Sequence, residues 1–310
     1  MPALRALRAA LPQAQISLLG LPWARGFVER FNLYLDEFIH FPGYPGFPEQ
    51  PDKVDRFPAF LTEVQSLKFD LAIQMQGSGE ISNSLTVLLG AKTCAGYYSP
   101  GHYRPDSHLF LPYPNSEPEI WRHLRLMEFL GVPLQGEDLE FPCCDQDWKE
   151  FYQVMHEFNI RKNYICIHPG ASSPDRRWPV ERFAQVADGL TAYGAQIVLT
   201  GSEEEVDLTR KVVSRMNCPA VDLAGKTSLG CLAALLSNAK LLVTNDTGVS
   251  HIASAVKTPS VVLFSASNPD RWAPLDKKLH CRVNYAMKKT PQEVLEVVDS
   301  HAKGVYTRAS

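Results

Sequence analysis

The sequence predicts an α/β protein with two Rossmann-like halves, each a parallel sheet covered by helices. The chain has 310 residues, which corresponds to about two domains of roughly 150 residues each. In its second half, short apolar runs alternate with helical patterns, as is typical of buried parallel strands joined by helices. Polar loops that contain glycine follow three of these runs, which is where open α/β sheets bind ligands.

Composition excludes several classes of protein. The net charge is −3, whereas a general nucleic-acid binder carries a basic excess, so we expect no nucleic-acid partner. No apolar run approaches the ~18 residues of a membrane-spanning helix, and the first residues hold no apolar stretch of signal-peptide length. The seven cysteines form no Cys-x-x-Cys pair, which favours neither a disulfide framework nor a zinc site. We therefore expect a cytoplasmic protein.

The first half is predicted to cover residues 1–145. Three leucines at positions 4, 7 and 11 share one helical face, and four prolines and two glycines make residues 42–51 a surface loop. Residues 98–118 are again rich in proline, and residues 131–147 form the predicted linker. The periodicity predicts helices over 5–11, 23–30, 56–67, 81–89 and 119–130, and strands over 15–21, 37–41 and 70–75.

The second half is predicted to cover residues 146–310 and alternates more clearly. Pro179 suits the first turn of a helix, because a proline there loses no helical hydrogen bond. The pattern predicts strands over 164–168, 196–200, 220–223, 240–244 and 260–264, and helices over 179–192, 203–215, 229–237, 247–256 and 291–301. The last helix could pack back on the first half.

The first candidate loop covers residues 168–179, between a strand and a helix. Gly170 permits close approach of a ligand to the backbone, and Ser172 and Ser173 offer hydrogen-bond donors. Arg176 and Arg177 supply positive charge for a phosphate. An ordinary strand–helix connection with two solvated arginines explains the same residues equally well.

The second candidate loop follows the strand predicted over 196–200. Gly201 permits a tight turn, and three glutamates at 203–205 stand in the first helical turn, where the helix dipole favours negative charge. One of these carboxylates could accept hydrogen bonds from ribose hydroxyls. Simple helix-end charge explains at least two of the three.

The third candidate loop gives the most specific indication of a binding site. An apolar strand ends in Asn245, and Asp246, Thr247 and Gly248 lead into the next helix. We expect Asp246 to cap this helix and the amides of Thr247 and Gly248 to form an anion site, with His251 within reach. A well-capped helix with a buried histidine is the alternative.

These loops resemble those of glycosyltransferase family 9, the ADP-heptose:lipopolysaccharide heptosyltransferases. The resemblance also includes residues 259–264 and 268–274, and residues 70–79 more loosely. It implies a GT-B fold, in which two Rossmann-like lobes with parallel sheets face each other across a cleft. It also implies that the second lobe binds the donor without a metal or other cofactor. The implied donor-binding residues are Gly170, Ser172, Ser173, Arg176, Glu205, Asp246, Thr247, Gly248 and His251.

Individual roles are also implied by the resemblance. Arg176 stands where family members commonly have a lysine, Glu205 matches the ribose-binding glutamate, and residues 246–251 match the diphosphate and sugar end of the donor site. The implied reaction is inverting transfer of a heptose-like sugar from an ADP-sugar to a lipopolysaccharide-type or other cell-envelope glycan. The implied acceptors are lipid-linked, so peripheral contact with the cytoplasmic face of the inner membrane is consistent with it.

Two other functions stay open at this point. One is a non-catalytic nucleotide-sugar-binding protein with the same fold, and the other is a different GT-B enzyme that uses a UDP-sugar. The residues do not specify the acceptor, the sugar or the oligomeric state.

The N-terminal region departs from the family pattern. Family members begin with a strand and a Leu-Gly-Asp loop, whose aspartate is taken as the general base. This sequence starts with Met1, Pro2 and Ala3, which match the family's first helix, so no catalytic residue is assigned. A misassigned start and a genuine truncation both account for this. We favour a misassigned start, since the three candidate loops keep the residues of the family pattern.

Overall fold

The computed structural model describes residues 1–47 and 55–305, with side chains to residue 301. The chain forms two compact units, which we call unit 1 (residues 1–137) and unit 2 (from residue 138 onward). The division lies within the predicted linker of residues 131–147, whereas the sequence placed the boundary after residue 145. Among the described residues, no helix combines the length and apolar composition that a membrane-spanning helix needs.

The described residues of unit 1 form two small parallel sheets, one with the order β1-β2 and one with the order β3-β4-β5. The α1 helix packs against α5, and its small buried residues permit that close contact. The elements in chain order are α1 (Pro2–Ala10), β1 (Ser17–Gly20), α2 (Ala24–Arg30), β2 (Glu37–His40), α3 (Phe57–Ser66), β3 (Leu71–Ile73), α4 (Ser82–Leu88), β4 (Thr93–Tyr98), β5 (Phe110–Pro112) and α5 (Glu119–Phe129).

Unit 2 contains one parallel sheet of six strands, with helices on both faces. Its strands are β6 (Tyr164–His168), β7 (Gln196–Leu199), β8 (Ala220–Asp222), β9 (Leu242–Asn245), β10 (Ser260–Phe264) and β11 (His280–Asn284). Its helices are α6 (Asp145–Glu157), α7 (Val180–Leu190), α8 (Val206–Val213), α9 (Leu229–Asn238), α10 (Gly248–Ala255), α11 (Pro269–Trp272) and α12 (Pro291–Val305).

The strand order in unit 2 determines where a ligand can bind. The order is β8-β7-β6-β9-β10-β11, so the chain adds strands to one side of β6 and then, from β9, to the other side. This is the Rossmann order, and its crevice lies at the carboxyl ends of the two strands between which the direction reverses. Those strands are β6 and β9.

The core of unit 2 explains why β6 is apolar throughout. Ile165 and Ile167 face a cluster that includes α7 and α12, whereas Tyr164 and Cys166 face a cluster that includes α6, α9 and α10. A strand buried on both faces cannot alternate apolar and polar residues. The same packing holds α12 against α7 and β11; the predicted packing of this helix on the first half stays a prediction.

Most predicted elements are confirmed, with ends shifted by a few residues. The helix predicted over 203–215 starts instead as a 3-10 turn at Glu203–Glu205 and continues as α8. The Glu205 carboxylate accepts the Ser202 amide N–H (2.9 Å) and so caps this first turn. The sequence analysis did not predict β4, β5, α6, α11 and β11. Residues 42–47 of the predicted loop are neither helix nor strand, and its residues 48–51 lie outside the described residues.

Candidate functional site

The loops that follow β6 and β9 are joined by one buried side chain, that of Asn245. Its Nδ2 donates to the carbonyl of Pro169 (2.7 Å), and its Oδ1 accepts the amide N–H of Trp178 (3.1 Å). Asn245 is the last residue of β9 and is fully buried, so losing either bond would leave a buried polar group unpaired. Asn245 therefore fixes both ends of the loop of residues 169–179.

Within this loop the two arginines have different surroundings. The Arg177 Nε donates to the carbonyl of Ala171 (2.8 Å), so this arginine holds the loop itself. The guanidinium of Arg176 lies beside the hydroxyl of Ser172 (3.4 Å). The loop is anchored by Trp178, whose indole is buried and donates to the carbonyl of Ala286 (2.7 Å). Arg176 is thus the arginine of the pair that lies beside a predicted ligand-binding serine.

Gly170 and Glu205, both predicted from the sequence, are in direct contact. A Cβ atom built on Gly170 would overlap the carboxylate of Glu205. That carboxylate also accepts the Ser202 amide N–H at 2.9 Å, so it caps its own turn as well as facing Gly170. Close approach of the backbone is the reason for glycine at position 170.

His168, at the carboxyl end of β6, lies against the same carboxylate. Its Nδ1 is 3.0 Å from the Thr200 hydroxyl, and its Nε2 is 3.7 Å from the Glu205 Oε2. Burial lowers the pKa of His168 well below its ordinary value, and the nearby Glu205 offsets this only in part. The imidazole is therefore neutral at pH 7 and places no positive charge beside Glu205.

The start of α10 corrects one prediction. The residue that caps α10 is Thr247, in an extended conformation, and no side-chain cap bond is present. The prediction that Asp246 caps this helix is therefore wrong. Asp246 comes one residue earlier, where its amide continues the sheet by donating to the carbonyl of Leu263 (3.0 Å). Its side chain makes no capping bond to α10, and the residue is only 4% exposed.

The first turn of α10 borders open space. A Cβ atom built on Gly248 would meet no atom within 4 Å, so the fold itself does not require glycine there. Amide N–H groups in a first helical turn have no partner within the helix and attract anions. His251 lies one turn further along and is half-buried.

The sequence analysis missed polar groups at the next two strand ends. The Ser265 and Ser267 hydroxyls follow β10, and the Asn284 Oδ1 ends β11; all three atoms are buried without a hydrogen-bond partner. Such atoms in a native protein call for a ligand or a water molecule. The run of residues 265–268 after an apolar strand was the signal that could have identified the first two. Over the described residues, no cluster of three or more His, Cys, Asp or Glu is arranged to hold a metal ion.

The fold defines an α/β protein of the GT-B class, with a Rossmann-type strand order in unit 2. A family model described as glycosyltransferase family 9 (heptosyltransferase) matches residues 59–300. The chain belongs to this family, which confirms the resemblance found in the sequence.

Individual relatives agree with this assignment. Lipopolysaccharide heptosyltransferase 3 of Escherichia coli K12 is 32% identical over 158 residues, which are 50% of this chain and 46% of the relative. Lipopolysaccharide heptosyltransferase 2 of the same strain is 36% identical over 170 residues, 51% of this chain and 49% of the relative. The aligned part of the chain thus spans about half the length of these curated relatives.

A solved structure agrees over a longer range. The structure of E. coli ADP-heptose lipopolysaccharide heptosyltransferase II superposes with a TM-score of 0.73 at 22% identity, covering 97% of this chain and 93% of the other. At this identity the superposition establishes the fold.

Proposed function

We propose that this protein is an inverting glycosyltransferase that moves a heptose-like sugar from an ADP-sugar to a lipopolysaccharide-type or other cell-envelope glycan. The family and the names of the relatives support this proposal. The structural observation behind it is the pair of Asn245 hydrogen bonds. These bonds join the β6 loop to β9, at the point where the strand order of unit 2 reverses.

In this proposal the diphosphate of the donor binds between the β6 loop and the start of α10. The guanidinium of Arg176 and the hydroxyl of Ser172 face one side of it. The Ser173 hydroxyl donates to the Asp175 carboxylate, so it would have to exchange this bond to reach a phosphate. The amides of the first turn of α10 face the other, and the open space at Gly248 admits the phosphate.

The two ends of the donor contact different residues. We assign the ribose hydroxyls to the carboxylate of Glu205, which has room at this position because residue 170 is a glycine. The sugar end is assigned to Asp246, Thr247 and His251. A neutral His168 behind Glu205 leaves that carboxylate to accept hydrogen bonds from hydroxyls.

The chemistry is a single displacement. An acceptor hydroxyl attacks the anomeric carbon, its proton passes to a general base, and the bond from that carbon to the β-phosphate oxygen breaks. ADP leaves with an additional negative charge, which Arg176 and the amides of α10 stabilise. One such donor is typically worth roughly 3–4 kcal/mol in the transition state. Attack from the face opposite the leaving group inverts the anomeric configuration.

The proposal also includes the acceptor and the place in the cell where transfer occurs. The acceptor would be lipid-linked, so the protein would work at the cytoplasmic face of the inner membrane and contact it peripherally. The donor site would need no metal ion or other cofactor, because cationic and amide groups carry the charge compensation.

The first test is calorimetric titration of this chain with ADP, with UDP and GDP as controls. We expect micromolar binding of ADP and much weaker binding of the other two. Arg176→Ala should weaken ADP binding by about 10- to 100-fold, because it removes a charge-assisted contact. Arg215→Ala is the matched control, since Arg215 pairs with Glu181 on the surface of the same unit.

The other outcomes separate the alternatives. Tighter binding of UDP would favour a UDP-sugar enzyme. ADP binding without transfer from ADP-heptose to any lipid-linked glycan tested would favour a non-catalytic binding protein. No binding of any nucleotide would sink the proposal. Where transfer occurs, the anomeric configuration of the product, read by NMR, tests the inverting course.

A further inference from the structure

A row of three polar side chains leads from the sheet of unit 2 to the proposed ribose site. β6 and β7 are parallel neighbours in which Ile167 pairs with Leu199, so the next residues, His168 and Thr200, stand side by side. Residues opposite each other in a sheet point to the same face. The His168 Nδ1 is accordingly 3.0 Å from the Thr200 hydroxyl, and its Nε2 is 3.7 Å from the Glu205 Oε2.

All three side chains are shielded from solvent. Thr200 is fully buried, His168 is 5% exposed, and the side chain of Glu205 is 12% exposed. Polar groups in such surroundings are normally paired, because leaving a buried donor or acceptor without a partner is costly. The hydrogen-bonding role of each group therefore follows from the groups that it faces.

The imidazole of His168 can carry its proton on either ring nitrogen. Burial lowers the pKa of His168, so at pH 7 the ring has one N–H and one lone pair. A carboxylate only accepts hydrogen bonds, so a lone pair at Nε2 would face another lone pair at the Glu205 Oε2. The proton therefore belongs on Nε2, and Nδ1 accepts a hydrogen bond from the Thr200 hydroxyl.

Two donors then converge on one oxygen of Glu205. Its Oε2 accepts the Ser202 amide N–H at 2.9 Å and faces the His168 Nε2 at 3.7 Å. The second separation is longer than a hydrogen bond, and such contacts in ligand-free sites often shorten when the ligand binds. Each carboxylate oxygen has room for about two donors, so both contacts together leave Oε1 to a ligand.

Gly170 restricts the same carboxylate from another direction. Its backbone lies against the Glu205 side chain so closely that a Cβ there would overlap both carboxylate oxygens. The carboxylate is thus held at Oε2 and covered along one face, which limits its rotation.

We propose that His168 and Thr200 are positioning residues that make the donor site selective for a ribonucleotide. Thr200 fixes the tautomer of His168, His168 holds the Glu205 Oε2, and Oε1 is thereby directed at a ribose hydroxyl. Neither residue touches the ligand, so both act through Glu205. The inference rests on the proposed function, in which Glu205 binds the ribose of the donor.

Selectivity follows from what a fixed carboxylate loses when the hydroxyl is missing. A nucleotide without ribose hydroxyls would cover Oε1 and leave it unpaired. A freely rotating carboxylate could turn away and avoid that cost, whereas one held by His168 and Gly170 cannot. Sites built to hydrogen-bond a hydroxyl reject analogues that lack it for this reason.

The test measures the ribose preference, defined as the Kd of 2′,3′-dideoxy-ADP divided by the Kd of ADP. Calorimetric titration gives both constants. We expect a preference of about 10- to 100-fold in the wild type, the usual worth of a hydrogen bond to a charged group. In His168→Leu it should fall at least about fivefold, while dideoxy-ADP binds as before. A merely structural role of His168 would instead weaken both ligands together.

Two further variants separate positioning from packing. His168→Gln keeps an N–H donor close to the place of Nε2, so it should retain most of the preference. Thr200→Val keeps the side-chain shape but removes the hydroxyl, so the preference should fall at least about threefold. Thr258→Val is the matched control. Thr258 is also a buried threonine of unit 2, but its hydroxyl donates to the Leu236 carbonyl (2.7 Å) near the amino end of β10.

NMR of the histidine ring nitrogens tests the tautomer without any ligand. In the wild-type protein the His168 ring should carry its proton on Nε2, and the signal that disappears in His168→Gln identifies this ring. In Thr200→Val the two tautomers should mix, because Nδ1 has lost its donor. Thr258→Val should leave the spectrum of His168 unchanged.

Three results would overturn the proposal. One is an unchanged ribose preference in His168→Leu, and another is an equal loss of affinity for ADP and dideoxy-ADP in that variant. The third is an Nδ1–H tautomer of His168 in the wild-type protein. Failure of the proposed function is recognised separately, since it would appear as no ADP binding or as ADP binding without sugar transfer.

Discussion

At the scale of single residues, two glycines of the proposed donor loops serve different purposes. Gly170 is required by the fold, because a Cβ there would overlap the Glu205 carboxylate. Gly248 borders open space, so the fold would accept a side chain at that position. If α10 binds the donor phosphate, Gly248 is required by the ligand. Stability and binding should therefore respond differently to the same Gly→Ala change.

Gly170→Ala should lower the free energy of unfolding of unit 2 by about 1–3 kcal/mol, the usual cost of overpacking. Gly248→Ala should leave stability unchanged or raise it slightly, because alanine is the better helix former, yet weaken ADP binding at least tenfold. Chemical denaturation and calorimetric titration measure the two effects. A Gly170→Ala protein of full stability, or a Gly248→Ala protein that binds ADP normally, would contradict this assignment.

A second residue-scale prediction concerns His280. Burial lowers its pKa from 6.5 to about 4, an effect that Asp276 opposes and that His301, Lys257 and His251 reinforce. Between these values the unfolded chain binds more protons than the folded one, so stability falls as the pH is lowered from 7 to 4. At 1.36 kcal/mol for each pKa unit, the loss is up to about 3 kcal/mol.

Denaturant titrations between pH 4 and 7 measure this slope. His280→Asn should make it shallower, since asparagine can still bond the Ser260 hydroxyl without titrating. A residual slope should persist, because burial shifts the pKa of His168 in the same direction. His102→Asn, at an exposed position, is the matched control. Equal slopes in the wild type and His280→Asn would contradict the burial argument.

At the scale of elements, burial explains which strands could be predicted from the sequence. β6, β7, β9 and β10 are apolar throughout because both of their faces are covered, and such runs are easily recognised. The missed elements have weaker patterns. β5 has three residues and ends in Pro112, within a proline-rich stretch, and β11 is an edge strand that alternates buried Val283 with exposed Arg282.

α6 was missed for a different reason, because it begins inside the predicted linker of residues 131–147. Its apolar side chains at Phe151 and Val154 have helical spacing and pack on α9, so the signal was present but was not used. Among the site residues, contact between Gly170 and Glu205 could not be predicted, since it depends on how closely the ends of β6 and β7 approach each other. Asn245 was visible in its motif, but its two bonds exist only in the folded sheet.

At the scale of the whole molecule, both units alternate helices with parallel strands, although no internal repeat is visible in the sequence. Over the residues that the structure describes, unit 2 has one sheet of six strands, whereas unit 1 has two separate sheets of two and three strands. Fewer buried apolar strands mean less hydrophobic stabilisation. We therefore expect unit 1 of this chain to unfold at a lower temperature than unit 2.

ADP should distinguish the two transitions. The proposed donor site is built from unit 2 residues, so a ligand at 100 times its Kd should stabilise that unit by about 2.7 kcal/mol. For a unit of this size, this corresponds to a rise in Tm of roughly 5–10 °C. The transition of unit 1 should not move, because a ligand shifts only the equilibrium of the state that it binds.

Differential scanning calorimetry, with hydrogen exchange to assign each transition, measures both temperatures. Arg176→Ala at the same ADP concentration is the control, since it should lose about half of the shift or more without moving the ligand-free transitions. A single transition that ADP raises as a whole would mean that the two units unfold as one cooperative body. A shift confined to the lower transition would place the nucleotide in unit 1 and overturn the donor assignment.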